Sequence, residues 1–114
     1  MRQWLATQGY VVRGVMARAH GIDIEACDRE GERPRWVIEV KGFGSGDTIR
    51  GNFFITILGE TLQRMSDPNA RYSIALPDTR QYRHLWETLP AIAKERTGIT
   101  CLLVGPDGKV EFAH

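Results

Sequence analysis

Two short segments near the start of the chain constrain its fold most. Ile22–Cys27 alternates, with Ile22, Ile24 and Ala26 on one side and Asp23, Glu25 and Cys27 on the other. Arg35–Lys41 alternates again, with Trp36, Ile38 and Val40 against Val37, Glu39 and Lys41. Successive strand side chains point to opposite faces, so each segment reads as a strand with one apolar and one polar face. Between them lies Asp28-Arg-Glu-Gly-Glu-Arg-Pro34, a charged turn. The pattern predicts an antiparallel hairpin. Its apolar face fixes the register, because a slip of one residue would turn every apolar side chain to solvent.

The remaining elements follow from local patterning. Arg2–Gln8 reads as a short helix ended by Gly9, and Tyr10–Val15 as a strand rich in β-branched residues. The stretch from Gly42 to Gly51 holds four glycines and reads as a loop. Asp47 is the expected N-cap of a helix running to about Met65, with Phe54, Leu58, Leu62 and Met65 as its buried stripe. Arg71–Leu76 is a strand ending at Pro77. Asp78 is the expected cap of a helix that buries Tyr82, Leu85, Trp86 and Leu89. Pro90 interrupts that helix or opens a second, and Gly98 closes it. Ile99–Val104 should be an interior strand, Pro106–Lys109 a turn and Val110–Phe112 a closing strand.

Strand–helix–strand crossovers require parallel neighbours. The expected fold class is therefore α/β: a single domain over residues 1–114, with a mixed β-sheet, an early antiparallel hairpin, and helices flanking both faces. Ile22, Ile24, Trp36, Ile38, Val40, Phe54, Leu58, Leu62, Trp86 and Leu102 should form most of the core. Trp36, Trp86, Tyr72 and Tyr82 lie at apolar-face positions and are read as core rather than as base-stacking platforms.

Composition narrows the function classes. With 15 Lys+Arg against 14 Asp+Glu, the formal charge is +1. That is too little for a polybasic DNA coat, which works by displacing counterions, but it suits an enzyme touching a few phosphates. No apolar run is long enough to span a bilayer. The first eight residues carry one basic residue and no apolar stretch, so no secretory signal is expected. Cys27 and Cys101 are the only cysteines and no Cys-x-x-Cys is present, which fits a reducing, cytoplasmic setting.

The chemistry-bearing residues are Asp23, Glu39 and Lys41. Glu39 and Lys41 share the polar face of one strand, and Asp23 projects from the polar face of its expected neighbour. Two carboxylates from separate elements supply the hard oxygens that Mg²⁺ requires. A lysine beside them can steady an attacking water or stabilise charge on a phosphate. Such a site should bring the nearest carboxylate oxygens to within ~3–4.5 Å of each other and the ammonium to within about 6 Å. Repulsion and burial should raise at least one carboxyl pKa in the metal-free protein. Glu25 lies further along the strand, as a reserve ligand or a solvated charge.

These residues resemble the PD-(D/E)xK nuclease superfamily of restriction-endonuclease-like folds. The resemblance rests on Gly21-Ile-Asp23-Ile, then Val37-Ile-Glu39-Val-Lys41-Gly42, and covers roughly residues 1–77. It implies Mg²⁺, with Mn²⁺ as a substitute, held by Asp23, Glu39 and the Val40 carbonyl, and DNA phosphodiester hydrolysis with Lys41 orienting water. It also implies Gln63 as a fourth member, since some branches place a Gln or Lys on the helix after the site. Thr56, Glu60 and Gln63 fall on one face of that helix. DNA is the implied partner and a homodimer the expected active unit, because two-fold pairing matches the two strands of a duplex. Two departures stand out: Met1–Gly9 contains no acidic residue, and Ile22 precedes Asp23 where many members have proline. They motivate the alternative of an inactive nuclease-like domain serving as a binding or assembly module. Arg50, Arg64 and Arg71 are candidate phosphate contacts. His20 is read as a turn residue.

Overall fold

The expected hairpin is present, and a six-stranded mixed sheet is built out from it. The computed structural model describes residues 1–18, 21–41 and 47–114, with Arg18, Gly21 and residues 47–52 as backbone only. The elements are α1 (Arg2–Thr7), β1 (Tyr10–Arg18), β2 (Gly21–Asp28), β3 (Trp36–Lys41), α2 (Asp47–Arg64), β4 (Arg71–Pro77), α3 (Arg80–Thr88), α4 (Ala91–Thr97), β5 (Thr100–Val104) and β6 (Val110–Phe112). The strands lie side by side in chain order. β1, β2 and β3 form an antiparallel meander, β4 and β5 continue it in parallel through helical crossovers, and β6 closes it antiparallel.

Helices cover both faces. On one, Leu5 of α1 packs with Ile24, Ala26, Trp36, Ile38 and Leu102. Trp36 donates its indole N–H to Ser73 at 2.8 Å, so its one polar atom is satisfied in the core. On the other face, Phe54 and Ile57 of α2 and Tyr82 and Trp86 of α3 pack on Ile74, Leu76 and Leu103. Trp36, Tyr72, Tyr82 and Trp86 are all buried, as core residues should be. Ile22, Val40 and Leu58 are half-buried.

Three local expectations are corrected. Leu62 is 51% exposed. The buried stripe of α2 runs through Phe54, Ile57, Leu58 and Thr61, and position 62 turns past it. Thr61 is tolerated there because its hydroxyl donates to the Ile57 carbonyl at 2.7 Å. The cap of α3 is Thr79, whose hydroxyl oxygen accepts from the Tyr82 amide at 3.1 Å; Asp78, one residue too early, instead pairs with Arg83. β1 runs on to Arg18 and contains a bulge: Val12 pairs with Ala26 but Gly14 with Glu25, leaving Arg13 as an extra residue. Gly98 closes α4 as expected, at φ 69°, a conformation glycine takes without steric cost. The glycine-rich loop falls partly on residues 42–46, outside the described residues, as does His20.

Candidate active site

Register places the two acids. Asp23 on β2 and Glu39 on β3 are direct cross-strand partners. One row therefore runs across the sheet through Met16, Asp23, Glu39, Ile74 and Cys101, on the face that α2 covers. It changes from polar to apolar between Glu39 and Ile74. The acids sit at that boundary, buried yet beside a cleft of 310 Å³ lined by Met16, Asp23, Val37, Arg64 and Tyr72.

The electrostatics are those of a crowded pair. Glu39 is 3% exposed and Asp23 9%. Burial, together with the Asp23 carboxyl beside it, pushes the Glu39 pKa up to about 7, opposed by Arg64. Two ionised carboxylates on adjacent strands repel each other, so the pair favours a proton or a nearby cation.

A cation is supplied by α2. Arg64, in its last turn, sets Nε 3.3 Å from Asp23 Oδ2 and pairs through Nη1 with Glu39 Oε1. The same Nη1 lies 3.7 Å from Glu60 Oε2, one helical turn back. Lys41 is half-buried, with Nζ 3.6 Å from the centroid of the Phe53 ring. Burial lowers its pKa, opposed by the nearby charge of Glu60.

The sequence-predicted residues therefore separate into two groups. Asp23 and Glu39 are brought together, and Lys41 shares the face of β3 that carries Glu39. Val40 lies on the interior strand β3 between Ile22 and Ala75, with its side chain in the α1-side core. Thr56 and Glu60 are half-buried, but Gln63 is exposed. The position expected of Gln63 is taken by Arg64. Arg71 is on the opposite face, its guanidinium 3.9 Å from the centroid of a Trp36 ring, so it does not join Arg64. The Arg50 side chain lies outside the described residues. Glu25 pairs with Arg35 at 3.4 Å, and Arg35 also reaches Asp67 at 3.2 Å, which accounts for Glu25 without a ligand role.

Comparison with known proteins gives a fold and no closer relationship. No protein-family model matches the sequence, and no curated protein matches it. Two of the solved structures that match in three dimensions show what the chain is similar to. One is an XisH family protein from Nostoc punctiforme PCC 73102, 18% identical over 96% of this chain and 92% of that one, with a TM-score of 0.62. The other is an FdxN element excision controlling factor protein from Anabaena variabilis, 17% identical over the same shares, with a TM-score of 0.63. The chain shares the XisH fold. At this identity the likeness extends to architecture alone.

The donor set fits a hard divalent ion. Asp23 and Glu39 offer oxygens from adjacent strands, the kind of donor a hard ion takes. Among the described residues no group of three or more His, Cys, Asp or Glu side chains is gathered for a metal. Water and a main-chain carbonyl would have to complete the shell. No described helix is long and apolar enough to cross a membrane.

The residue that sequence reasoning placed least well is Arg64. It was one basic residue among 15. The signal that could have found it is its spacing: Glu60 and Arg64 form an i, i+4 pair at the end of α2.

Proposed function

We propose that the chain is a Mg²⁺-dependent nuclease of the restriction-endonuclease-like class, hydrolysing DNA phosphodiesters, with Mn²⁺ able to substitute. The observation that carries this reading is the Asp23–Glu39 pair, buried in direct cross-strand register with Lys41 two residues on. The shared fold with a protein named an excision controlling factor is compatible with it.

Asp23, Glu39 and the Val40 carbonyl would hold the ion. When bound, Mg²⁺ polarises a phosphoryl oxygen and lowers the pKa of coordinated water. Lys41 steadies the attacking water or the charge that develops on the phosphate. Its lowered pKa brings it nearer to exchanging a proton than a solvated lysine is. The cleft gives a phosphodiester access to Asp23 and Arg64. The DNA is taken by two copies of the chain, in the cytoplasm.

The test is incubation of labelled duplex, single-stranded and branched DNA, and RNA, with Mg²⁺ or Mn²⁺. Wild type should cleave DNA, and Asp23→Asn and Lys41→Ala should each lose at least about 10²-fold in rate. Absence of cleavage on every substrate, with Lys41→Ala indistinguishable from wild type, overturns the reading. One observation favours the rival, a binding or assembly module: Arg64 already pairs with both acids. The rival predicts no metal binding, and partner association that is indifferent to Asp23→Asn.

A further inference from the structure

We propose that Arg64 is an exchangeable cation, competing with a divalent metal ion for the carboxylates of Asp23 and Glu39. This rests on the reading of that pair as a metal site. It goes beyond that reading by assigning a displacement step to a residue of this chain.

Arg64 engages one oxygen from each acid, Asp23 Oδ2 through Nε and Glu39 Oε1 through Nη1. An ion bridging the two strands needs one oxygen from each of the same carboxylates. Metal–oxygen bonds are about 2.1 Å long, so an ion there would lie within a few ångströms of the guanidinium. The two compete for the same oxygens, and a divalent ion and a guanidinium that close repel each other in a site whose acids are 3% and 9% exposed.

The guanidinium has somewhere to go. Its side chain is 27% exposed, at the end of α2, and it lines the 310 Å³ cleft. Glu60 already lies 3.7 Å from Nη1 and can keep hold of it as the other two contacts break. A displaced Arg64 would stand in the cleft with its forked donors free for an anion, and a phosphodiester suits them. Metal and phosphate binding would then support each other, since whichever takes its partner first frees the other.

Calorimetric titration with Mn²⁺ tests the exchange without using cleavage as the readout. The samples are wild type, Arg64→Gln and Arg64→Lys, with Arg64→Gln/Asp23→Asn as the control for location. Arg64→Gln should bind Mn²⁺ about tenfold tighter than wild type, within the 5–150-fold usual for coupled sites. Arg64→Lys should also bind tighter, because a lysine cannot bridge both acids with a planar fork. The double variant should lose the binding. Equal affinities for wild type and both single variants would overturn the exchange while leaving the metal site standing. Weaker binding by the variants would overturn it too, making Arg64 a support of the site. If no variant binds Mn²⁺, the metal-site reading fails, and the exchange with it. Should Arg64→Gln fail to fold by circular dichroism, the Arg64→Lys comparison decides.

Discussion

The raised pKa of Glu39 makes the metal-free protein less stable at pH 8 than at pH 5. Folding moves this carboxyl from an ordinary 4.5 to about 7, because it is buried against Asp23. Below 4.5 the group is protonated in both states and carries no penalty. Between 4.5 and 7 the unfolded chain releases the proton while the folded protein keeps it, so stability falls as pH rises. Above 7 both states are ionised and the loss is complete. The interval is roughly 2.5 pH units, worth about 3 kcal/mol at about 1.4 kcal/mol per unit. Against a total of about 5–15 kcal/mol, that should move the melting temperature by about 10 °C. The assay is urea unfolding in EDTA at pH 5 and pH 8, on wild type and Glu39→Gln. Wild type should lose about 2–3 kcal/mol between the two, since part of the change lies below pH 5, and the variant, which cannot ionise there, should not. Comparing the two cancels the titrating groups that do not interact with Glu39. Equal pH dependence in both proteins, or a wild type more stable at pH 8, would refute the reasoning.

Thr79→Ala removes the cap of α3 and should cost about 1 kcal/mol in chemical denaturation, whereas Asp78→Ala, which leaves that cap in place, should not reproduce the effect through α3. Leu62→Lys should change stability by less than about 0.5 kcal/mol, because the side chain is half in water; a loss above 2 kcal/mol would mean that it packs. Trp36→Ala should cost about 3–5 kcal/mol, since it empties the middle of the α1-side core and removes the donor to Ser73. Gly98→Ala, at φ 69°, should cost about 1 kcal/mol by thermal melting.

The hairpin was legible in the sequence because period-two alternation is unambiguous once both strands show it. Ile24 and Ile38 on one face settle where Asp23 and Glu39 must point, and the register then brings the acids together. The helical content of 47–64 was legible too, but its rotation was not. Leu62 fits an apolar stripe in the sequence, while the protein buries Thr61 instead, because a threonine bonded to its own helix can enter a core at little cost. That same uncertainty of rotation displaced Gln63 in favour of Arg64, which differs from it by one position and hence by about 100° around the helix. The α3 cap was misplaced for a related reason: Asp78 and Thr79 both have capping side chains, and only the geometry of the preceding strand chooses between them. Tyr10–Val15 resisted reading as an alternating strand because of Arg13. Val12 and Val15 are three apart, and the bulge returns them to one face.

That bulge shows where the chain can change length. β1 is an edge strand and already carries one residue more than its partner opposite the same stretch. A local insertion there deforms one ladder on one side only. β2 and β3 are flanked on both sides, and the Glu39-to-Lys41 interval is the strand pleat itself. One residue added or lost between them would send Lys41 into the aromatic core beneath, and one between Asp23 and the turn would do the same to Asp23. Substitutions at the site can be graded in their effect, but insertions and deletions cannot. The sheet accommodates length variation only at its rim, and the acids lie where every register is fixed twice.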